Sequence, residues 1–224
     1  MSDPAAPIRA VLFDLDGTLV DNMQYHIAAW IETGRELGAE LTAEQVMRDF
    51  AGRRNEEILP TVARRPLSAQ EMARIAHDKE ARYRALYAPH LTLMSGAAAL
   101  LTQLTAAGIA IGIASAAPKD NRDFVLSGLG RGPDAGAVGG AEEVSRGKPA
   151  RDMYREAPRR SGMAPQHTLV FEDARLGVQA ACAAGMRACG ITTGDSPHEL
   201  IAAGAIATCP DFRSLPDAIA GLLR

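Results

Sequence analysis

Short apolar runs alternate along the chain with longer stretches in which apolar residues recur at helical spacing. The apolar runs predict strands at residues 11–13, 109–114, 168–171, 186–191 and 205–208, with a further short strand around Val138. The stretches between them predict helices at residues 97–107, 119–129, 151–161, 174–184, from Ser196 onward and at 215–222. Pro158 is expected to kink or split its helix. This alternation predicts an α/β fold, in which helices cover both faces of a doubly wound parallel sheet.

Residues 22–92 interrupt the alternation, because they contain no convincing strand. Hydrophobic spacing and capping residues predict four helices there, at residues 23–37, after Thr42, after Asn55 and at 68–87. Four consecutive helices are too many for one crossover between strands, so we expect a separate small domain. The alternative is that these helices only flank the sheet. The predicted organisation is a core of residues 1–21 and 93–224 with a helical insertion at 22–92.

Composition narrows the class of protein. The 224 residues are 47% hydrophobic and 23% charged, as in ordinary globular proteins, and a net charge of −3 gives no basic footprint for nucleic acid. Cys182, Cys189 and Cys209 lack metal-binding spacing and are expected to be reduced core thiols. There is no signal-peptide pattern and no apolar run of about 18 residues. We therefore expect a cytoplasmic protein without membrane partners, a monomer or a weak dimer.

The first predicted strand ends in Asp14-Leu15-Asp16-Gly17. Two carboxylates at i and i+2 point to one side of an extended chain, and Gly17 allows a sharp turn after them. Like charges this close favour a divalent cation between them, and Mg²⁺ prefers oxygen ligands. A solvated turn is the alternative, since Asp and Gly are common turn residues. The apolar strand before Asp14 favours an active site at the carboxyl edge of the sheet.

Three further polar groups lie after predicted strands or in a loop. Ser115 follows the strand at 109–114, where its hydroxyl could donate to a ligand, although serine there is usually a turn residue. Lys148, in Gly147-Lys148-Pro149, is one of only three lysines against 21 arginines; a lone loop lysine is otherwise usually just exposed. Pro149 favours extended backbone at Lys148. Glu172 and Asp173 end the strand at 168–171, where Asp173 would also suit a helix N-cap.

The chain resembles, over nearly its whole length, the haloacid dehalogenase superfamily of phosphoryl-transfer enzymes, and in particular its beta-phosphoglucomutase-like branch. The likeness rests on four motifs in the same order as in that family. They are Asp14-Leu15-Asp16-Gly17-Thr18-Leu19, Ser115, Gly147-Lys148-Pro149 and Glu172-Asp173-Ala174-Arg175-Leu176-Gly177-Val178.

The resemblance implies a nucleophile and a metal site. Asp14 would attack phosphorus and form an aspartyl-phosphate, and Asp16 would be the general acid and base. The cofactor would be Mg²⁺, held by Asp14, the carbonyl of Asp16, Glu172 and Asp173.

The resemblance also implies a phosphoryl-binding set. Ser115 would hold the phosphoryl group together with the backbone N–H of Ala116, and Asn121 would reach in beside them. Lys148 would neutralise charge on Asp14 and on the transferring group.

By the same resemblance, residues 22–92 are a helical cap over the active site, hinged at residues 21–22 and 91–94. His26 would assist Asp16; the alternative is that His26 and Trp30, one helical turn apart, only pack together. The cap is expected to choose the substrate through His26, Trp30, Arg53, Arg54, Asn55 and Lys79.

Two departures from the mutases favour a phosphatase. Asn55 stands where they carry an arginine that grips a distal phosphate, although Arg53 or Arg54 could substitute, and the residues after Ser115 lack their second serine. Lys79 does match a mutase cap lysine. We expect a Mg²⁺-dependent phosphatase of small phosphorylated metabolites, in particular sugar phosphates. The alternatives are a phosphosugar mutase and a catalytically silent binding protein on the same fold.

Overall fold

A computed structural model describes residues 6–50, 53–129, 154 and 164–223. In this part of the chain five strands form one sheet in the order β2-β1-β3-β4-β5, and every neighbouring pair is parallel. Each strand coincides with a predicted one, so the predicted parallel sheet is confirmed. The strands are β1 (Ala10–Phe13), β2 (Ala110–Ile113), β3 (Thr168–Glu172), β4 (Arg187–Ile191) and β5 (Ala207–Cys209).

The helices lie where hydrophobic spacing predicts them, with one difference. The last helix, predicted at 215–222, begins only after Pro216 and is α-helical over four residues. It then continues as a 3₁₀ turn at Gly221–Leu223. The α-helices with described bounds are α1 (Met23–Glu36), α2 (Ala43–Phe50), α3 (Asn55–Ala63), α4 (Ala69–Tyr87), α5 (Ala97–Ala106), α6 (Lys119–Gly128), α7 (Arg175–Ala183), α8 (Pro197–Ala202) and α9 (Asp217–Ala220). Further 3₁₀ turns lie at Ala88–His90 and Pro165–His167.

The predicted capping residues define three helix starts. Thr42 Oγ1 accepts from the backbone N–H of Gln45 at 3.1 Å, and the Gln45 side chain accepts from the N–H of Thr42. Ser68 Oγ accepts from the N–H of Glu71 before α4, and a capping box of Ser196 with Glu199 begins α8. Each cap satisfies backbone donors that the first helical turn leaves without partners.

Strand β1 is buried on both faces and carries the two halves of the core. Its side chains alternate in direction, so Val11 and Phe13 pack on one face and Leu12 on the other. The first face is covered by residues of α5 and α6, and the second by residues of α7 and α8. This confirms the doubly wound architecture, and it holds the carboxyl end of β1 between those of β2 and β3.

Helices α1 to α4 share a hydrophobic cluster of their own, built around Trp30, Phe50 and Leu59. The two connections between these helices and the sheet lie side by side. Val20 and Leu93 form an isolated antiparallel bridge, and the N–H of Met94 donates to the carbonyl of Leu19 at 2.9 Å. The expected hinge at residues 91–94 is therefore paired with the residues immediately before the expected hinge at 21–22.

Several predicted features lie outside the described residues: the short strand at Val138, most of the helix at 151–161 and the effect of Pro158. Tyr154 is helical and buried. Among the helices described above, none is long and apolar enough to cross a membrane.

Candidate active site

Three carboxylates meet at the carboxyl edge of the sheet. Asp14 follows β1, while Glu172 ends β3 and Asp173 follows it; each is at most 5% exposed. One oxygen from each residue lies within 4.8 Å of the others. Parallel strands end at the same edge, which explains how residues so far apart in sequence come together. A buried, all-oxygen donor set of this kind suits a hard cation such as Mg²⁺.

Asp16 lies beside this cluster in a separate hydrogen-bond network. Its Oδ1 accepts from Nδ2 of Asn22 at 2.6 Å and lies 3.6 Å from Nε2 of His26. Burial would raise the pKa of the Asp16 carboxyl, but the nearby imidazole of His26 and the hydrogen bond from Asn22 outweigh it and lower that pKa below its usual range. The environment of Asp16 thus favours its ionised form.

Asn22 and Tyr83 extend this network into the helices. Asn22 is fully buried; its Nδ2 also donates to the Tyr83 hydroxyl at 2.6 Å, and its Oδ1 accepts from the N–H of Gly17. Tyr83 lies on α4, and its ring stacks on His26 with ring centres 3.7 Å apart. Neither residue is among the predicted site residues. Asn22 is predicted only as part of a hinge, and hydrophobic spacing indicates only a core position for Tyr83.

Ser115 lies just beyond β2 and is 1% exposed. Its Oγ accepts from the backbone N–H of Ala117 at 3.1 Å, which leaves the hydroxyl proton to be donated to a ligand. Ala116 is half-buried beside it. Asn121, on α6, is fully buried and is bonded to two residues of α4: it donates to Glu80 and accepts from Arg84. Lys148, the remaining predicted catalytic residue, lies outside the described residues.

His26 and Lys79 meet between α1 and α4. Nζ of Lys79 lies 3.1 Å from Nδ1 of His26. Because an ammonium can only donate, Nδ1 is the acceptor and the ring proton sits on Nε2, which faces Asp16. Nε2 is buried and has no hydrogen-bond partner among the described residues. The face of the Trp30 ring lies 4.9 Å from Nζ of Lys79.

The loop before α3 supplies Arg53 and Arg54, and Asn55 is the first residue of that helix. Both arginines lie near Glu57, with closest nitrogen–oxygen distances of 3.9 Å for Arg53 and 3.6 Å for Arg54. Nε of Arg54 is buried and has no hydrogen-bond partner in the part of the chain that the structure describes. Asn55 donates from Nδ2 to Oε1 of Glu80 at 2.8 Å, so it is tied to α4.

One cavity of about 370 Å³ connects these groups. It is lined both by residues at the sheet edge and by residues of the helical segment, although the predicted metal ligand Glu172 is not among the lining residues. The predicted residues in its wall are Asp14, Asp16, His26, Trp30, Arg53, Arg54, Asn55, Lys79, Ser115, Ala116, Asn121 and Asp173. Glu80 also lines it and was not predicted; its position directly after Lys79 is the only sequence signal that could have found it.

Comparison with known protein families gives a match over most of the chain. Residues 8–185 match the family described as "haloacid dehalogenase-like hydrolase". The chain belongs to the haloacid dehalogenase-like hydrolase family. The resemblance predicted from the four motifs is therefore confirmed.

Relatives of this chain are named for different activities. The chain is 34% identical to hexitol phosphatase A of Escherichia coli over 79% of its own length and 80% of that protein. It is 30% identical to beta-phosphoglucomutase of Bacillus subtilis, over 84% of each chain. Among solved structures, a point mutant of CbbY from Rhodobacter sphaeroides in complex with xylulose-(1,5)bisphosphate is 27% identical, with a TM-score of 0.82 over 93% of this chain and 96% of that one.

Proposed function

We propose that this protein is a Mg²⁺-dependent phosphatase that hydrolyses small phosphorylated metabolites, in particular sugar phosphates, through an aspartyl-phosphate on Asp14. The observation that carries the proposal is the shared cavity, in which Asp14, Asp16 and Ser115 face cap residues suited to hydroxylated ligands. The relative named as a hexitol phosphatase supports the substrate class, and the chain's membership of a hydrolase family supports the reaction.

In the proposed mechanism the Asp14 carboxylate attacks phosphorus as the bond from phosphorus to the ester oxygen breaks. Asp16 must enter this step protonated, although its surroundings lower its pKa, and it donates that proton to the leaving oxygen, which departs as the alcohol. Asp16 then takes a proton from water, and the oxygen of that water attacks the phosphorus of the aspartyl-phosphate. Inorganic phosphate leaves, and Asp14 returns as the free carboxylate. The Ser115 hydroxyl would donate to a phosphoryl oxygen, and Lys148 would add a positive charge from outside the described residues.

Asp14, Glu172 and Asp173 would hold the metal, together with the carbonyl of Asp16. When bound, Mg²⁺ would neutralise charge on the carboxylates and on the phosphoryl oxygens. The residues fit such an ion, because three buried carboxylates supply only oxygen ligands within 4.8 Å of one another.

We further propose that residues 22–92 act as a cap domain on a core of residues 1–21 and 93–224. Their separate hydrophobic cluster and the paired connections at Val20 and Leu93 support this division. Closure of such a cap would exclude water while the first ester is cleaved. His26, with its Nε2 proton facing Asp16, would then orient the acid.

The test is release of phosphate from a panel of sugar and sugar-alcohol phosphates, with Mg²⁺ and with EDTA. We expect release that needs Mg²⁺ and falls by several orders of magnitude in Asp14→Asn. Retention of more than about a tenth of wild-type turnover, a loss of only ~1.4 kcal/mol, would contradict Asp14 as nucleophile. Circular dichroism should show that the variant stays folded.

The same panel separates the alternatives. A mutase would use the same aspartyl-phosphate but pass the phosphoryl group to a sugar hydroxyl, so it would convert beta-glucose 1-phosphate to glucose 6-phosphate when primed with a bisphosphate. The 30% identity to a beta-phosphoglucomutase is the observation that favours it. Turnover of no substrate would favour a silent binding protein.

A further inference from the structure

Glu80 is a buried carboxylate in the wall of the active-site cavity, and the mechanism above does not use it. It lies on α4, is 5% exposed and lines the same cavity as Asp14 and Asp16. Its Oε1 accepts from Nζ of Lys79 at 2.9 Å and from Nδ2 of Asn55 at 2.8 Å. Its Oε2 accepts from Nδ2 of Asn121 at 2.7 Å. Glu80 therefore joins three predicted substrate-binding residues that come from α3, α4 and α6.

The first consequence concerns Lys79. An ammonium has three N–H donors. Nζ of Lys79 lies 2.9 Å from Glu80, 3.1 Å from Nδ1 of His26 and 4.9 Å from the face of the Trp30 ring. The donors of Lys79 are thus directed at protein groups, and its positive charge is matched by the carboxylate beside it. Lys79 in this arrangement is poorly placed to hold a second phosphate of a substrate.

The second consequence concerns the total charge of the cap side of the cavity. Lys79, Arg53 and Arg54 supply three cations there. Glu80 and Glu56 line the same wall, and Glu57 lies within 4 Å of both arginines. Three cations face three carboxylates, so these six residues give the wall no surplus of positive charge with which to bind a doubly charged group.

The third consequence concerns what this wall can bind. A carboxylate has about four acceptor positions, and Asn55, Lys79 and Asn121 use three of those on Glu80. The charge of Lys79 and hydrogen bonds to Asn55 and Asn121 lower the pKa of Glu80 against the effect of burial, which alone would raise it. The remaining acceptor is therefore on an ionised carboxylate, which attracts a hydroxyl proton and repels an anion.

We infer that Glu80 is a specificity-determining residue, which binds a hydroxyl group at the unphosphorylated end of the substrate and excludes substrates with a second phosphate there. The inference rests on the proposed function, whose substrate class it narrows to polyhydroxylated monophosphates. The inferred preference for monophosphates also distinguishes this chain from the related protein CbbY, whose structure holds a bisphosphate.

The test compares matched ligands that differ by one phosphate. Binding of fructose 1-phosphate against fructose 1,6-bisphosphate, and of glucose 6-phosphate against glucose 1,6-bisphosphate, would be measured by calorimetry in the Asp14→Asn protein with Mg²⁺, so that no ligand is consumed. We expect at least one monophosphate to bind ~10-fold or more tightly than its bisphosphate, because each added charge meets the Glu80 carboxylate. Adding Glu80→Gln should reduce that ratio by ~10-fold, through loss of repulsion and release of Lys79.

The matched control is Glu44→Gln, which removes the same charge from an exposed residue of α2 that is not among the residues lining the cavity; it should leave the ratio within ~2-fold of the parent. The inference is overturned if both bisphosphates bind as tightly as their monophosphates, if neither monophosphate binds, or if Glu80→Gln weakens both ligands of a pair equally. The first two outcomes are read in the parent protein and do not depend on whether Glu80→Gln folds. Hydrolysis of the monophosphates by wild-type protein is assayed separately. Its absence alongside the expected binding ratios would reject the phosphatase while leaving the role of Glu80 intact.

Discussion

Gly177 leaves the space that the side chain of Glu172 occupies. A Cβ built on Gly177 would overlap Oε1, Cδ and Cγ of Glu172, which is itself fully buried. Gly177 lies in the first turns of α7 and has ordinary helical backbone angles. The need for glycine there is therefore explained by the close approach of the Glu172 carboxylate. The position of Glu172 in the acidic cluster is therefore determined by the helix that packs against it as well as by strand β3, which carries it.

We expect Gly177→Ala to displace Glu172 and disturb the acidic cluster. Alanine favours a helix over glycine by about 1 kcal/mol. Overpacking against a buried side chain costs about 1–3 kcal/mol, so we expect a net loss of unfolding free energy in a urea titration. If the cluster binds Mg²⁺, the affinity measured by calorimetry should fall ~10-fold or more. Gly221→Ala is the control, since a Cβ there would meet nothing within 4 Å; equal effects of the two variants would contradict this account.

The meeting of acidic and hydroxyl side chains at one edge of the sheet could be predicted from sequence, because each of them lies at or just after the end of a short apolar strand. Asp14, Ser115 and Glu172 are adjacent to buried runs, and parallel strands place such positions together whatever the length of chain between them. Glu80 and Asn22 could not be predicted in this way. Their partners depend on how α4 packs against α1 and α6, and helical spacing specifies which face of a helix is buried without specifying what it meets.

Tyr83 provides a second prediction, because its hydroxyl is the partner of a fully buried amide. Tyr83→Phe keeps the ring that stacks on His26 but removes the acceptor for one N–H of Asn22, while the other N–H still donates to Asp16. An unsatisfied buried donor costs about 1–3 kcal/mol, and we expect a loss of this size in chemical unfolding. Turnover should fall as well, because Asn22 positions Asp16.

Tyr87→Phe is the matched comparison. Tyr87 is equally buried, but its hydroxyl bonds to Thr92 are long, at 3.3 and 3.5 Å. We expect a loss below about 1 kcal/mol and no change in turnover. A larger loss from Tyr87→Phe than from Tyr83→Phe would show that the contact with Asn22 is not what stabilises this region.

The cysteines give a prediction about reactivity. Cys189 and Cys209 are buried on β4 and β5 with their sulfurs 4.0 Å apart, and both are free thiols. Hydrogen bonding to Cys209 and burial raise the pKa of the Cys189 thiol, while burial raises that of Cys182. Since only the thiolate reacts, we expect thiol reagents to modify Cys182 slowly and the other two only after unfolding. Mass spectrometry should find one label on the native protein and labels on all the cysteines in denaturant; rapid labelling of Cys189 would contradict the buried position.

Glu80 makes stability depend on pH in a direction that can be measured. Burial alone would raise its pKa, but attraction to Lys79 and hydrogen bonds from Asn55 and Asn121 outweigh burial and hold that pKa below the ordinary value of 4.5 in the folded protein. Ionised Glu80 therefore stabilises the fold above about pH 4.5, and that contribution is lost as the pH falls through the lower folded-state value. Glutamine cannot ionise, so the difference in unfolding free energy between wild type and Glu80→Gln should be largest near about pH 6 and shrink towards about pH 3. Glu56→Gln, at an exposed residue, should show no such trend. A wild-type advantage over Glu80→Gln that stays constant across this range would mean that packing, and not the charge, explains the contribution of Glu80.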